Sequence, residues 1–253
     1  MKLTGGCATY VGNTRKVNQD AILYRSSEKD GCYFTVLAVC DGIGGLEKGE
    51  LASALVVRQA NAWYERILQW LDIPTADPDV LYAHVKDAAE EWNRKVCEYR
   101  ERNRIQTGTT LSLLLLLRDK YYTLQVGDSR IYRFGENDWE QLTVDASVTQ
   151  MKNGKMKTYL DNYMGKTRDL WFTSSGGAVR DGDLFLVCSD GLYHHLQPED
   201  IREIRSGIRD EKGVKAVCEG LIEKMMERGE RDNISAGIVI VKRKRKWFEK
   251  RGG

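Results

Sequence analysis

Apolar runs bordered by aspartate set the rhythm of this chain. Residues 34–40, 122–127 and 184–189 each read as a buried strand, and they run into Asp41-Gly42, Asp128-Ser129 and Asp190-Gly191. A fourth acid, in Asp232-Asn233, opens the apolar run 234–241 instead of closing one. Neighbouring antiparallel strands place the end of one beside the start of the next, so these acids can gather at one edge of a sheet. Carboxylates assembled without basic partners repel one another, and a divalent cation is the natural reason to assemble them.

The remaining pattern places strands at 3–11, 21–24 and 33–40, and a turn over 12–20. Two long helices follow, over 49–71 and 79–102. Their apolar stripes are read as Leu51, Leu55, Ala62, Trp63, Ile67 and Trp70, and as Val80, Leu81, Val85, Ala88, Ala89, Trp92, Val96 and Tyr99. A β meander is predicted over 109–143, an irregular excursion over 145–181, a strand over 183–189, helices over 198–206 and 211–228, and a last strand over 234–242. Strands in runs with helices inserted in pairs point to stacked antiparallel sheets covered by helices, an α+β arrangement, and not to βαβ units.

Composition narrows the function classes. With 253 residues and three prolines, nothing marks a split, so a single domain over 1–241 is expected, followed by a basic tail at 242–253. The formal net charge of +2 gives no global field for nucleic acid or membrane, although the tail could touch an acidic surface. The six cysteines contain no CxxC pair and read as small core residues of a reducing compartment. Leu3-Thr4-Gly5-Gly6-Cys7 has no apolar stretch before it, and no apolar run is long enough to cross a bilayer, so the reading is a cytoplasmic protein.

Six segments carry a resemblance over nearly the whole chain. They are 12–20 with Arg15 and Asp20, Asp41-Gly42-Ile43-Gly44-Gly45 with Gly49-Glu50-Leu51-Ala52-Ser53, Thr107-Gly108-Thr109-Thr110, Val126-Gly127-Asp128-Ser129-Arg130, Ser189-Asp190-Gly191-Leu192 and Asp232-Asn233. In this order and spacing the chain resembles the metal-dependent protein phosphatases of the PP2C (PPM) type, bacterial branch. The resemblance implies an α-β-β-α sandwich of two antiparallel sheets flanked by helices, with two Mn²⁺ or Mg²⁺ ions at one end. It implies that Asp41 bridges the ions, that the Gly42 carbonyl binds one and that Asp190 and Asp232 complete the shell of the other. Asp20 would act through coordinated waters, Asp128 could bind a third ion, and Arg15 would hold the phosphate with a bidentate contact. Ions of this kind activate a water, which avoids a covalent phosphoenzyme. The implied substrates are phosphoserine and phosphothreonine proteins, the implied counterpart a Ser/Thr kinase, and the expected state a monomer.

Departures from the family pattern bear on activity. Gln19 stands where the family commonly has Glu, and Tyr193-His194-His195 stands where it carries a further acid, which weakens the case for a third ion. Asp145-Ala146-Ser147 replaces Asp-His-Ser at the start of the flap-like segment 145–181. His194 reads either as a proton donor or soft-metal ligand or as a surface residue, and His84 as structural. The alternatives are therefore a catalytically weak PP2C-like regulatory module and a hydrolase of small phosphate esters.

Overall fold

The computed structural model describes residues 2–43, 46–136, 138–152, 155–197, 199–201, 204, 208 and 210–242. Three strands open the chain: β1 (Lys2–Tyr10), β2 (Asp20–Lys29) and β3 (Cys32–Asp41). The long helices α1 (Gly49–Leu68) and α2 (Pro78–Asn103) follow, then β4 (Leu111–Leu117), β5 (Lys120–Val126), β6 (Arg130–Phe134) and β7 (Trp139–Gln141). Next come the pair β8 (Ser147–Lys152) and β9 (Lys155–Leu160), then β10 (Thr173–Ala178), β11 (Leu184–Cys188), the single turn α3 (Asp190–Tyr193), α4 (Glu211–Glu227) and β12 (Ile234–Lys242).

Two antiparallel five-stranded sheets result, in the orders β1-β12-β11-β6-β7 and β10-β5-β4-β3-β2. Side chains alternate across each strand, so every central strand feeds two cores. In β3, Phe34, Val36, Ala38 and Cys40 pack under α1 and α2, while Leu37 and Val39 point into the space between the sheets. In β12, Ile234, Ala236, Ile238 and Ile240 pack against α4, while Val239 and Val241 join Leu37 and Val39. The layers are therefore helix, sheet, sheet, helix, the α+β sandwich that the resemblance implies.

The two long helices form as read; the stripe of α2 is largely buried as expected, whereas the buried face of α1 is rotated. Asp77 caps α2 by accepting from Asp79 N at 2.9 Å, with Pro78 opening the helix where its missing N–H costs nothing. In α1 the buried face is Ala52, Ser53, Val56, Ala60, Trp63, Tyr64 and Ile67. Leu51, Trp70 and Val80, assigned above to the apolar stripes, are exposed. In α1 the face shifted because Ser53 and Tyr64 are buried by hydrogen bonds, to Gln19 O and Phe34 O, that hydropathy does not score.

The excursion over 145–181 holds more order than expected. β8 and β9 pair from Ser147↔Leu160 to Lys152↔Lys155, and β10 joins the second sheet beside β5. The alternating exposure of its small residues, Thr173-Ser174-Ser175-Gly176-Gly177-Ala178, marks β10 as a real strand despite its lack of apolar signal. The helix expected over 198–206 lies largely, and the basic tail after Lys242 wholly, outside the described residues.

At the end of the first sheet opposite the aspartates, Arg133 and Asp183 form a buried pair, 7% and 1% exposed. Arg133 Nε and Nη2 each donate to an Asp183 oxygen at 3.1 Å, and Arg180 N donates to Asp183 Oδ2 at 2.7 Å. Asp183→Ala leaves the Arg133 charge without its buried partner, and a loss of about 3 kcal/mol is expected in urea denaturation. A loss below about 1 kcal/mol would contradict this assignment.

Candidate active site

Five aspartates meet at one end of the sandwich because the sheet register puts them there. Asp20 begins β2 and Asp41 ends β3, and the two are direct cross-strand partners. Asp128 sits on the short link between β5 and β6, where the chain passes from one sheet to the other. Asp190 follows β11 and Asp232 precedes β12, and the pairing Cys188↔Ala236 brings those two ends together. Asp41, Gly42, Ile43, Thr110, Asp128, Leu160, Asp190 and Asp232 line one cleft of about 110 Å³.

Backbone bonds hold each acid in place. Asp41 N donates to Thr110 Oγ1 at 2.9 Å, while Asp41 O accepts from Thr110 N and Thr109 Oγ1, both at 2.8 Å. Gly42 N donates to Gln19 O at 3.0 Å, and Ser53 Oγ donates to the same carbonyl at 2.6 Å. A Cβ at position 42 would lie 2.5 Å from the Gly49 backbone and 2.7 Å from Gln19 O, so only glycine lets these three segments close over the cleft. Asn233 ties the far side: its Oδ1 accepts from Gln19 N at 2.8 Å, and its Nδ2 donates to Val11 O at 2.7 Å.

The carboxylates are strained by their surroundings. Asp20 Oδ2 accepts from Ser189 Oγ and Ser235 Oγ at 2.8 and 2.7 Å, but Asp20 Oδ1 is buried with no partner. Asp190 Oδ1 is in the same condition. Burial first, then the charges of Asp190 and Asp232, pushes Asp20 up to about 6 against the relief its two serines give. Burial and Asp190 likewise push Asp128 up to about 6. Burial followed by Asp20, Asp190, Asp128 and Asp232 holds Asp41 well above the usual carboxylate range. Asp190 is raised mainly by burial, and His194 works against that.

Orphaned buried oxygens amid repelling carboxylates fit hard cations. Asp20, Asp41, Asp128, Asp190, Asp232 and the Gly42 carbonyl offer oxygen alone, the donor set of Mg²⁺ or Mn²⁺ and not of zinc. Among the described residues no trio of His, Cys, Asp or Glu side chains closes into a tight cage. Water and the Gly42 carbonyl would therefore supply part of any ion's shell here, which suits Mg²⁺, an ion that keeps several of its waters.

A stability profile follows from the raised groups. Their unfolded pKa is about 4, so as pH rises the unfolded chain releases these protons first. Stability of the metal-free protein is therefore present at the acid side and is lost between about pH 4 and the folded value of about 6. Thermal melts in chelator should show the midpoint falling across that window, and a midpoint that rises through it would contradict the assignment.

Arg15 is placed at the cleft by the turn after β1. Its Nη2 donates to Asp232 Oδ2 at 2.6 Å, with both side chains partly exposed. The family departures also find places. Gln19 Nε2 reaches Glu50 Oε2 at 3.5 Å, a long contact from a neutral amide at the position where the family commonly has a carboxylate. Asp145 accepts three bonds from Arg130, whose guanidinium lies 3.7 Å above the Tyr193 ring. His194 Nδ1 lies 3.7 Å from Glu230 Oε2, and His84 accepts from Trp63 Nε1 at 3.1 Å, which makes His84 a packing residue. Ser189, Ser235 and Asn233 support the site; Ser189 and Asn233 stand in the quoted motifs without an assigned role, and Ser235 lies outside them.

The fold is thus two stacked antiparallel sheets between helices, with carboxylate oxygens gathered at one end. The family model "Protein phosphatase 2C" matches residues 12–239, and the chain belongs to that family of metal-dependent protein serine/threonine phosphatases. It is similar to a putative protein phosphatase of Mycoplasma pneumoniae, 27% identical over 91% of this chain and 93% of the relative. Among solved structures it resembles PppA, a regulatory component of T6SS in Pseudomonas aeruginosa, with TM-score 0.73 and 25% identity over 94% of this chain and 97% of that one. It also resembles the catalytic domain of the serine threonine protein phosphatase PstP in complex with two manganese ions, with TM-score 0.71 and 25% identity over 94% and 98% of the chains. No helix among the described residues is long and apolar enough to cross a membrane.

Proposed function

We propose that this chain hydrolyses phosphoserine and phosphothreonine on proteins, with Asp41, the Gly42 carbonyl, Asp190 and Asp232 holding two Mn²⁺ or Mg²⁺ ions. The observation that carries this reading is the pair of buried, unpartnered oxygens, Asp20 Oδ1 and Asp190 Oδ1, within a cluster of mutually repelling acids. Bound there, the ions would lower the pKa of water to give a nucleophile near neutral pH and would polarise the phosphoryl oxygens. Asp41 lies between the other acids and is the residue suited to bridge. Asp20, fixed by Ser189 and Ser235, would orient coordinated water through its remaining oxygen. Asp128 is the candidate for a third, weaker ion.

Arg15 stands at the rim, where a phosphomonoester dianion would enter. Its planar fork can leave Asp232 and take two phosphate oxygens, which orients the ester for displacement. The leaving oxygen must gain a proton, and His194 is the imidazole nearest this cleft in sequence to Asp190. Its Nδ1 lies 3.7 Å from Glu230 Oε2, and solvent is taken as the donor in this reading. The regulatory-module alternative has Gln19 and His194 behind it. The intact set of oxygen ligands favours the enzyme.

We further read the chain as a cytoplasmic monomer, one domain over 1–241 with a basic tail, opposing a Ser/Thr kinase. The substrate class is tested by phosphate release from a phosphothreonine peptide set against a small aryl phosphate at saturating Mn²⁺. A kcat/KM that favours the peptide supports the protein phosphatase. A preference for the aryl ester would move the assignment to small-molecule hydrolysis.

A further inference from the structure

Glu230 lies two residues before Asp232, outside every motif quoted above, yet its side chain is only 9% exposed. It is delivered there by the end of α4. Glu230 N donates to Met225 O at 3.1 Å and Gly229 N to Met226 O at 3.0 Å, with Gly229 at φ +93°, the closing pattern of a helix that ends on a left-handed glycine. The chain leaves that cap already turned towards the cleft.

The two carboxylate oxygens of Glu230 face different sides. Oε1 accepts from Arg231 N at 2.6 Å and from Asp232 N at 2.8 Å. Oε2 faces His195 Nε2 at 3.5 Å and His194 Nδ1 at 3.7 Å, longer than ordinary hydrogen bonds. These histidines come from the segment that starts at Asp190. Arg228, at the cap of α4, adds a tie across the same gap by donating to His195 O at 2.7 Å. Asp232 Oδ1 then accepts from its neighbour Asn233 N at 2.8 Å, while Oδ2, on the other side of the carboxylate, takes the bond from Arg15 at the rim of the cleft.

We propose that Glu230 is a positioning residue for the metal centre: through Oε1 it clamps the backbone that presents Asp232, beside the segment that presents Asp190. The inference rests on the reading of Asp190 and Asp232 as ligands of one ion. Its physical basis is general. A ligand aimed by fixed backbone need not be ordered when the ion binds, and groups that hold ligands in place commonly contribute tenfold to a hundredfold to metal affinity. The clamp works through an acceptor atom, Oε1, and a neutral amide offers the same acceptor. Charge is not what the clamp requires.

The test is calorimetric titration of the full-length, metal-stripped protein with Mn²⁺, alongside far-UV circular dichroism. Glu230→Ala is expected to raise the Mn²⁺ Kd about tenfold to a hundredfold, and Glu230→Gln to stay within about threefold of the parent. At saturating Mn²⁺ the KM for a phosphothreonine peptide should match the parent in both. A Kd for Glu230→Ala within about twofold of the parent would overturn the proposal. So would a Glu230→Gln variant as weak as Glu230→Ala, because the charge and not the clamp would then be acting. If Glu230→Ala does not fold, Glu230→Met, of similar length but with no oxygen acceptor for the two N–H groups, takes its place with about tenfold expected and twofold as the overturning result. A parent protein that binds no Mn²⁺ would instead defeat the metal-centre reading itself.

Discussion

Asp41→Asn is expected to lower kcat about a thousandfold, close to 4 kcal/mol of transition-state stabilisation, while leaving the protein folded. The substitution keeps shape and removes one negative charge from the acid that faces Asp20, Asp190, Asp128 and Asp232 together. Its backbone is fixed independently by Thr109 and Thr110, so the fold has no need of the carboxylate. Because burial and four neighbouring charges oppose ionisation at this position, the metal-free variant should melt a few degrees above the parent. Activity and stability therefore move in opposite directions. A variant that lost both would mean that Asp41 is a structural residue, and one that kept activity would remove it from the site.

Arg15→Ala is expected to reduce kcat/KM for a phosphopeptide about a hundredfold, chiefly through KM, as the loss of a bidentate charge-assisted contact requires. Arg15→Lys should recover little, because a point charge cannot reproduce the planar fork. The ion pair with Asp232 adds a second expectation of the opposite sign. Arg15 Nη2 occupies Asp232 Oδ2 at 2.6 Å, and its removal frees that oxygen for an ion. The Mn²⁺ Kd of Arg15→Ala, measured by calorimetry, should thus be equal to or below that of the parent. Weaker metal binding together with a normal KM would show that Arg15 serves the metal site and not the phosphate.

Much of this architecture was legible in the sequence, and the misses have physical causes. Strands buried on both faces, such as β3 and β4, announce themselves as continuous apolar runs, and the acids at their ends follow from the chain alone. Helix existence was equally plain. The buried face of α1 was not, because Ser53 and Tyr64 enter the core through hydrogen bonds that apolar periodicity ignores. β10 escaped because a strand of Thr, Ser, Gly and Ala carries no hydropathy signal and is defined by its pairing with β5. The β8 and β9 pair escaped for a related reason: it packs in neither sheet, with Met151 and Met156 exposed.

At the site the candidate ligand set was readable, whereas its support was readable only as motif neighbours without roles (Ser53, Thr109, Thr110, Ser189, Asn233) or not at all (Ser235, Glu230). Motifs pointed to Asp20, Asp41, Asp128, Asp190, Asp232 and Arg15, and the fold brings all six to one end. Ser235 lies on β12 next to Asp20 only because β12 and β2 meet across the sandwich, 215 residues apart in sequence. Glu230 gave no signal, since a lone glutamate after a helix is ordinarily a solvated cap. Long-range contacts of this kind are written in the topology and not in any local pattern.

The central claim, that the gathered acids form a metal centre that drives phosphoester hydrolysis, is tested most directly by one measurement. It is phosphate release from a phosphothreonine peptide by the metal-stripped protein with Mn²⁺, with Mg²⁺ or with neither, beside Asp190→Ala. Activity that appears only with a divalent ion and disappears in Asp190→Ala is the predicted result. A folded, metal-loaded protein that releases no phosphate, or one equally active without metal, would contradict it.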